Sequence, residues 1–321
     1  MYISKMKRKQ LVKVNNLKIN LNKVLIGLLI IAVFLIGILV NKITLLSQNS
    51  KQSQTVTQAQ EKAKTEAQKL VRIENKVINK NGYNLKISWN SLGKQLITDG
   101  VIDEKKLAQS ILGKDNLTND YTKYLDGSNQ ILTLNTQNSH FWLNVLWGLG
   151  LANKNKLLDS GDMQTSGNPA DFASTGGYTL GQGDPMSYYS KYSYINLSPS
   201  QQAMVEEVAR NIYRPCCGNS AAFPDCNHGM AMLGLIELMV SQNFSKGDIY
   251  KAALAVNTYW FPQTYLGIAY HFEKLGKDYS KISAQEILSS AYSSSQGNAK
   301  IQQETIGITW PNQGFGGSCG A

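Results

Sequence analysis

Residues 24–40 read VLIGLLIIAVFLIGILV, seventeen apolar or glycine positions without a charge. No polar face is present, so the segment is not an amphipathic core helix. At about 1.5 Å per residue it makes roughly 25 Å of helix, the short end of what crosses a bilayer. Ile43, Leu45 and Leu46 extend it to residue 46, with Lys42 snorkelling to the interface. The run exceeds a signal-peptide core, and no small-x-small cleavage site follows it, so the sequence predicts an uncleaved signal anchor over 24–46. Residues 1–23 hold Lys5, Lys7, Arg8, Lys9, Lys13, Lys18 and Lys23 and no acidic residue. That asymmetry predicts a single-pass cell-membrane protein with a cytoplasmic N-terminus and an extracytoplasmic C-terminal part.

The net charge of +10 resembles a nucleic-acid signal until it is located. Taking the seven cations of residues 1–23 from the 32 basic residues leaves 25 against 22 acidic ones. A domain so close to neutral has no electrostatic reason to bind a polyanion, and no nucleic-acid partner is expected. Gly-x-Gly-x-x-Gly, the P-loop and Gly-x-Ser-x-Gly are absent from the sequence, so nucleotide-binding and hydrolase readings have no support.

Beyond the anchor the expected class is mainly α with minor β. Residues 47–80 lack the apolar positions of a heptad seam and read as a polar helical stalk; oligomerisation through it is the weaker option. Residues 81–196 form a mixed, mostly helical region. It includes a strand over 83–89, a helix over 101–113 ended by Gly113, and an apolar helix from His140 to Leu151. A glycine-rich loop spans 159–187, with room for a short strand at 178–180. Residues 197–290 read as a three- to four-helix bundle. Ser198-Pro199 opens its first helix and Pro215 stops it; Ser245 caps the third; Pro262 ends or bends that one. Residues 291–321 read as a glycine-rich tail.

Chemistry concentrates in the loop 215–228. Cys216, Cys217 and Cys226 lie within eleven residues, with His228 two further on; the fourth cysteine, Cys319, sits in the tail. Three readings follow. In the first the thiols are reactive. Asp225 or Asn227 caps the following helix, and its free N–H groups favour a thiolate at Cys226. Arg214 and His228 add positive charge, and Asp225 opposes them. Adjacent Cys216 and Cys217 make a strained disulfide, so one of them pairs with Cys226 and the third thiol stays free. In the second reading Cys217, Cys226, His228 and Cys319 hold zinc or copper, although no Cys-x-x-Cys spacing supports it. In the third a single disulfide closes the loop as a staple, contributing about 2–3 kcal/mol. Met230, Met232 and Met239 read as core filler, His140 and His271 as structural, Tyr188, Tyr189, Tyr192 and Tyr194 as a packed loop, and Glu237 as either buried or facing water.

The segment from Ser198 to about Trp260 resembles the cytochrome c maturation thiol proteins of the CcmH, CycL and NrfF group. In that family a helix leads to Leu-Arg-Cys-Pro-x-Cys, followed by a loop, an Asp-Ser-Asn step and two further helices. Here Arg214-Pro215-Cys216-Cys217 takes the first place, Asp225-Cys226-Asn227 the second, and Ser245-Lys246-Gly247-Asp248 the start of the third helix. The resemblance implies a three-helix bundle outside the membrane that exchanges disulfides with a thiol-containing protein, such as an apocytochrome. The chain departs from the family in losing the two-thiol spacing, in placing Cys226 where serine is usual, and in carrying its anchor at the N-terminus.

Overall fold

The computed structural model describes residues 3–311, with side chains from Asn22 onward. Cys319 and the end of the glycine-rich tail therefore lie outside the described residues, as do the side chains of Lys5 to Lys18. The protein is mainly helical and divides into two compact units, residues 1–68 and 69–321.

The first unit is built on one helix, α1 (Ile3–Val77), which continues unbroken through the residues read as a stalk. Its apolar stretch is exposed along its whole length, as a segment whose solvent is lipid would be. Among the described residues it is the one helix long and apolar enough to cross a membrane. The last turns of α1 belong to the second unit. Leu70 and Ile73 are buried there, while Arg72 pairs with Glu273 and Lys76 with Asp278.

The second unit begins with β1 (Tyr83–Ser88), which runs antiparallel to β2 (Ile131–Leu134). The sequence reading found β1 and missed β2, whose four residues are too few to show an alternation. Between the strands lie α2 (Leu92–Thr98) and α3 (Glu104–Leu112). Asp103 caps α3 through the Lys106 N–H, and Gly113 closes it in the left-handed region at φ 62°.

Two helices apolar on every face form the centre: α4 (Ser139–Ala152) and, further along the chain, α6 (Asn227–Ser241). They are buried almost throughout, Met230, Met232 and Met239 included. Their backbones meet at Gly150 and Gly234, where a Cβ on Gly234 would sit 2.8 Å from Gly150 N and from Leu146 O. Around this pair pack α5 (Pro199–Arg210) and α7 (Lys246–Trp260), and α8 (Pro262–Lys274) packs against α7. Ser198 and Gln201 form a reciprocal capping box on α5, and Ser245 caps α7. The helix α5 ends at Arg210, before the expected stop at Pro215, because the chain turns back there: Ala221 N–H bonds Ile212 O and Ala222 N–H bonds Ala209 O.

Two other expectations change. Residues 178–180 form no strand; Tyr178 is buried, donating its hydroxyl to Val101 O, and the glycine-rich segment is fixed by short turns capped by Asn168 and Asp184. Residues 291–311, the described part of the glycine-rich tail, hold buried side chains. They include α9 (Ser295–Gln302), and Trp310 is buried near Tyr270. Tyr188, Tyr189 and Tyr194 pack as expected, with their hydroxyls bonded to Gly183 N–H, Leu158 O and Asp99. His271 pairs with Glu304 at 3.0 Å.

Glu237 of α6 is fully buried. Asn153 donates to its Oε2 at 2.9 Å, and its Oε1 has no partner among the described residues. Burial holds its pKa well above the usual carboxylate range, against the hydrogen bond of Asn153. The folded state thus keeps a proton that the unfolded chain releases near pH 4.5. The neutral form's contribution is whole below that value and is lost as pH rises through the folded pKa. Glu237→Gln removes this loss. In thermal unfolding between pH 4.5 and 8, the Tm of the variant relative to the native chain should rise with pH, by about 2–4 °C for each kcal/mol recovered.

Candidate functional site

The loop between α5 and α6 is organised around one side chain, Arg214, which is 1% exposed. An arginine that deeply buried needs all its N–H groups satisfied. Here Nη1 donates to Asn219 O at 2.9 Å, Nη2 to Phe223 O at 3.1 Å and to the Asp225 carboxylate, and Nε to Cys226 Sγ at 3.1 Å. Asn219 donates to the other Asp225 oxygen at 2.7 Å. The guanidinium thereby pins both halves of the loop and places a positive charge against one sulfur. Room for it depends on Gly229, in the first turn of α6: a Cβ there would lie 2.5 Å from the guanidinium carbon.

Cys226 is itself the N-cap of α6, where Asp225 or Asn227 was expected. Its Sγ accepts the Gly229 N–H at 3.4 Å. Asn227 instead turns its Oδ1 to the N–H of His228. Asp225 is committed to Arg214 and Asn219, so it does not oppose the thiolate as an isolated charge would.

Cys226 Sγ lies 3.5 Å from Cys216 Sγ and 3.9 Å from Cys217 Sγ, and all three thiols are free. His228, 4% exposed, packs against Phe261 and Trp260 at ring separations of 4.4 and 5.5 Å. Its ring groups with Cys216 and Cys226, all ligand atoms within 4.8 Å of one another, whereas Cys217 groups with Asp225 and Cys226. The expected metal set of Cys217, Cys226, His228 and Cys319 is therefore rearranged: Cys216 takes the place beside His228, and Cys319 lies outside the described residues. The cluster can hold a metal ion or carry thiol chemistry.

The electrostatics separate the three sulfurs. Hydrogen bonds from Cys216 and Cys217, then Arg214 and His228, hold the Cys226 thiol well below its ordinary pKa despite burial. Cys216 is pushed far up because it shares its proton with the other two sulfurs and is buried. For Cys217, the bond to Cys216 pulls downward, but the bond to Cys226 and burial raise it to about 12. Of the three sulfurs, the surroundings thus favour negative charge at Cys226 and disfavour it at Cys216 and Cys217.

A cavity of about 280 Å³ opens onto Cys216, Cys226 and His228, with Trp147, Ala173, Gly177 and Asn227 as its other walls. Trp147 comes from α4, and its indole N–H bonds Ser174 O at 2.7 Å; Ser174 N–H in turn bonds Asp225 O. The glycine-rich segment is thus one side of the thiol site, a role that its composition alone did not reveal. His140 lies within electrostatic reach of His228, and burial, then that neighbour, lowers its pKa.

No family model, curated protein or solved structure matches this chain.

Gly229→Ala tests how far the site depends on the seat of Arg214. Helix propensity alone predicts a gain of about 1 kcal/mol. The clash predicts a net loss of about 1–3 kcal/mol. Thermal unfolding should show the loss, and Cys226 should need a higher pH for alkylation as the guanidinium moves off.

Proposed function

We propose that the chain is a membrane-anchored thiol–disulfide exchange protein in which Cys226 is the attacking or carrying sulfur and Cys216 resolves it. The observation that carries this reading is the setting of Cys226 Sγ: it accepts N–H groups from Arg214 and from the first turn of α6, with a second thiol 3.5 Å away. The apolar stretch of α1 is the lipid anchor, the N-terminus is cytoplasmic, and the thiol unit stands on the outer side, where disulfides persist. The partner class is a cysteine-bearing protein, as the resemblance to the cytochrome c maturation group implies. That resemblance is supported by the order α5, thiol loop, α6, α7.

Exchange runs without an external redox reagent. The Cys226 thiolate attacks one sulfur of a partner disulfide, and the other leaves as a thiolate. Cys216 gives up its proton and attacks Cys226 Sγ, releasing the second partner sulfur and closing Cys216–Cys226. Two electrons pass from the protein dithiol to the partner, and the reverse sequence oxidises a partner dithiol. Iodoacetamide alkylation of the reduced full chain at graded pH should show one cysteine, Cys226, reacting with a midpoint below the ordinary value of about 8.5. Three midpoints near that value would sink the proposal.

A second reading rests on His228, whose buried Nδ1 has no hydrogen-bond partner among the described residues. Thiolates about 2.3 Å from a tetrahedral ion stand about 3.8 Å apart, close to the 3.5 and 3.9 Å separations found here. Cys216, Cys226 and His228 fit zinc or copper(I) in that respect. Elemental analysis of chain reconstituted anaerobically with either ion should give one equivalent, lost in Cys226→Ser. Binding that survives the substitution would remove the reading.

A further inference from the structure

Cys226 belongs to two sets of groups that face different surroundings. With Cys216 and His228 it lines the 280 Å³ cavity. With Cys217 it joins Asp225 on the loop side, and Cys217 is not among the cavity's walls. The separations to the two flanking sulfurs, 3.5 and 3.9 Å, differ by little. Each flanking sulfur needs to close less than 2 Å to reach the disulfide length of about 2.05 Å. The loop that carries both ends in a backbone bond from Ser295 N–H to Cys217 O, so the third thiol is seated by the fold.

We propose that the three cysteines form an internal disulfide relay, in which the bond made at the cavity, Cys216–Cys226, is passed to Cys217–Cys226 on the loop side. The inference rests on the exchange reading above and adds a second docking face to it. In the transfer the Cys217 thiolate attacks Cys226 Sγ in the Cys216–Cys226 bond. A new S–S bond forms to Cys217, the bond to Cys216 breaks, and Cys216 leaves as a thiolate that takes up the proton Cys217 gave up. No electrons leave the protein in this step, because one disulfide replaces another. Cys226 is the shared partner in both bonds. A direct Cys216–Cys217 bond is excluded as a resting state by the strain of an eight-membered ring. The consequence is that one oxidising equivalent accepted through the narrow cavity becomes available at a different sulfur. A thiol of one partner protein and a thiol of another then need not compete for the same approach.

The test uses the full chain carrying Cys319→Ser, so that only the three loop thiols remain, in detergent micelles, reduced and desalted, then given one equivalent of oxidised glutathione, which accepts the two electrons. After acid quench, the remaining thiol is labelled with N-ethylmaleimide in denaturant, and fragment mass spectrometry locates the label. The expected result is label divided between Cys216 and Cys217, within about tenfold of each other, and none on Cys226, since the two bonds share one partner. With Cys216→Ser or Cys217→Ser added, oxidation consumes both remaining thiols and leaves no label. Label confined to one of Cys216 and Cys217 in the three-cysteine chain, or found on Cys226, overturns the relay while leaving simple exchange intact. Label on all three sulfurs means that no disulfide forms, and it is the exchange reading itself that fails.

Discussion

A guanidinium sealed inside the protein, Arg214, is the constraint from which the thiol site follows. Left unpaired, such a charge costs several kcal/mol, so the chain around it must supply acceptors. Two carbonyls, a carboxylate and a sulfur do so, and all of them come from residues 219–226, which fold back onto Arg214. Loop shape and sulfur charge are therefore one problem with one solution. The geometry that satisfies arginine is the geometry that sets a positive charge against the Cys226 sulfur at a helix start.

The scaffold that makes this arrangement rigid is the pair α4 and α6. Contact of their backbones at Gly150 and Gly234 lets two wholly apolar helices share the centre of the domain. The N-terminus of α6 then emerges beside Trp147, and the glycine-rich segment closes over both. The one carboxyl buried in this pair, Glu237, is a separate matter: its partner Asn153 also accepts the N–H of Ile195, linking α6 to the segment that precedes α5.

Much of this architecture was legible in the sequence because local signals carried it. The apolar run of residues 24–40, the Ser198-Pro199 and Ser245 starts, Gly113 and the apolar block 140–151 each encode an element through composition or capping within a few residues. The clustering of Cys216, Cys217, Cys226 and His228 marked the site for the same reason. What stayed hidden was long-range. Nothing near Asp225 in sequence announces that it will spend its charge on Arg214, and the expected opposition to the thiolate vanished for that reason. Trp147 and Gly177 enter the cavity from elements 40 to 80 positions away. The strand β2 is too short to show a period, and Cys226 as a cap defeats residue preferences that favour its neighbours on either side.

That Cys226, the proposed nucleophile, also caps the start of a helix has a practical side. A serine there keeps an oxygen able to accept the Gly229 amide and so retains the helix start, whereas an alanine removes reactivity and cap together. Loss of activity in an alanine replacement would confound chemistry with fraying of α6. Serine is the replacement that separates the two.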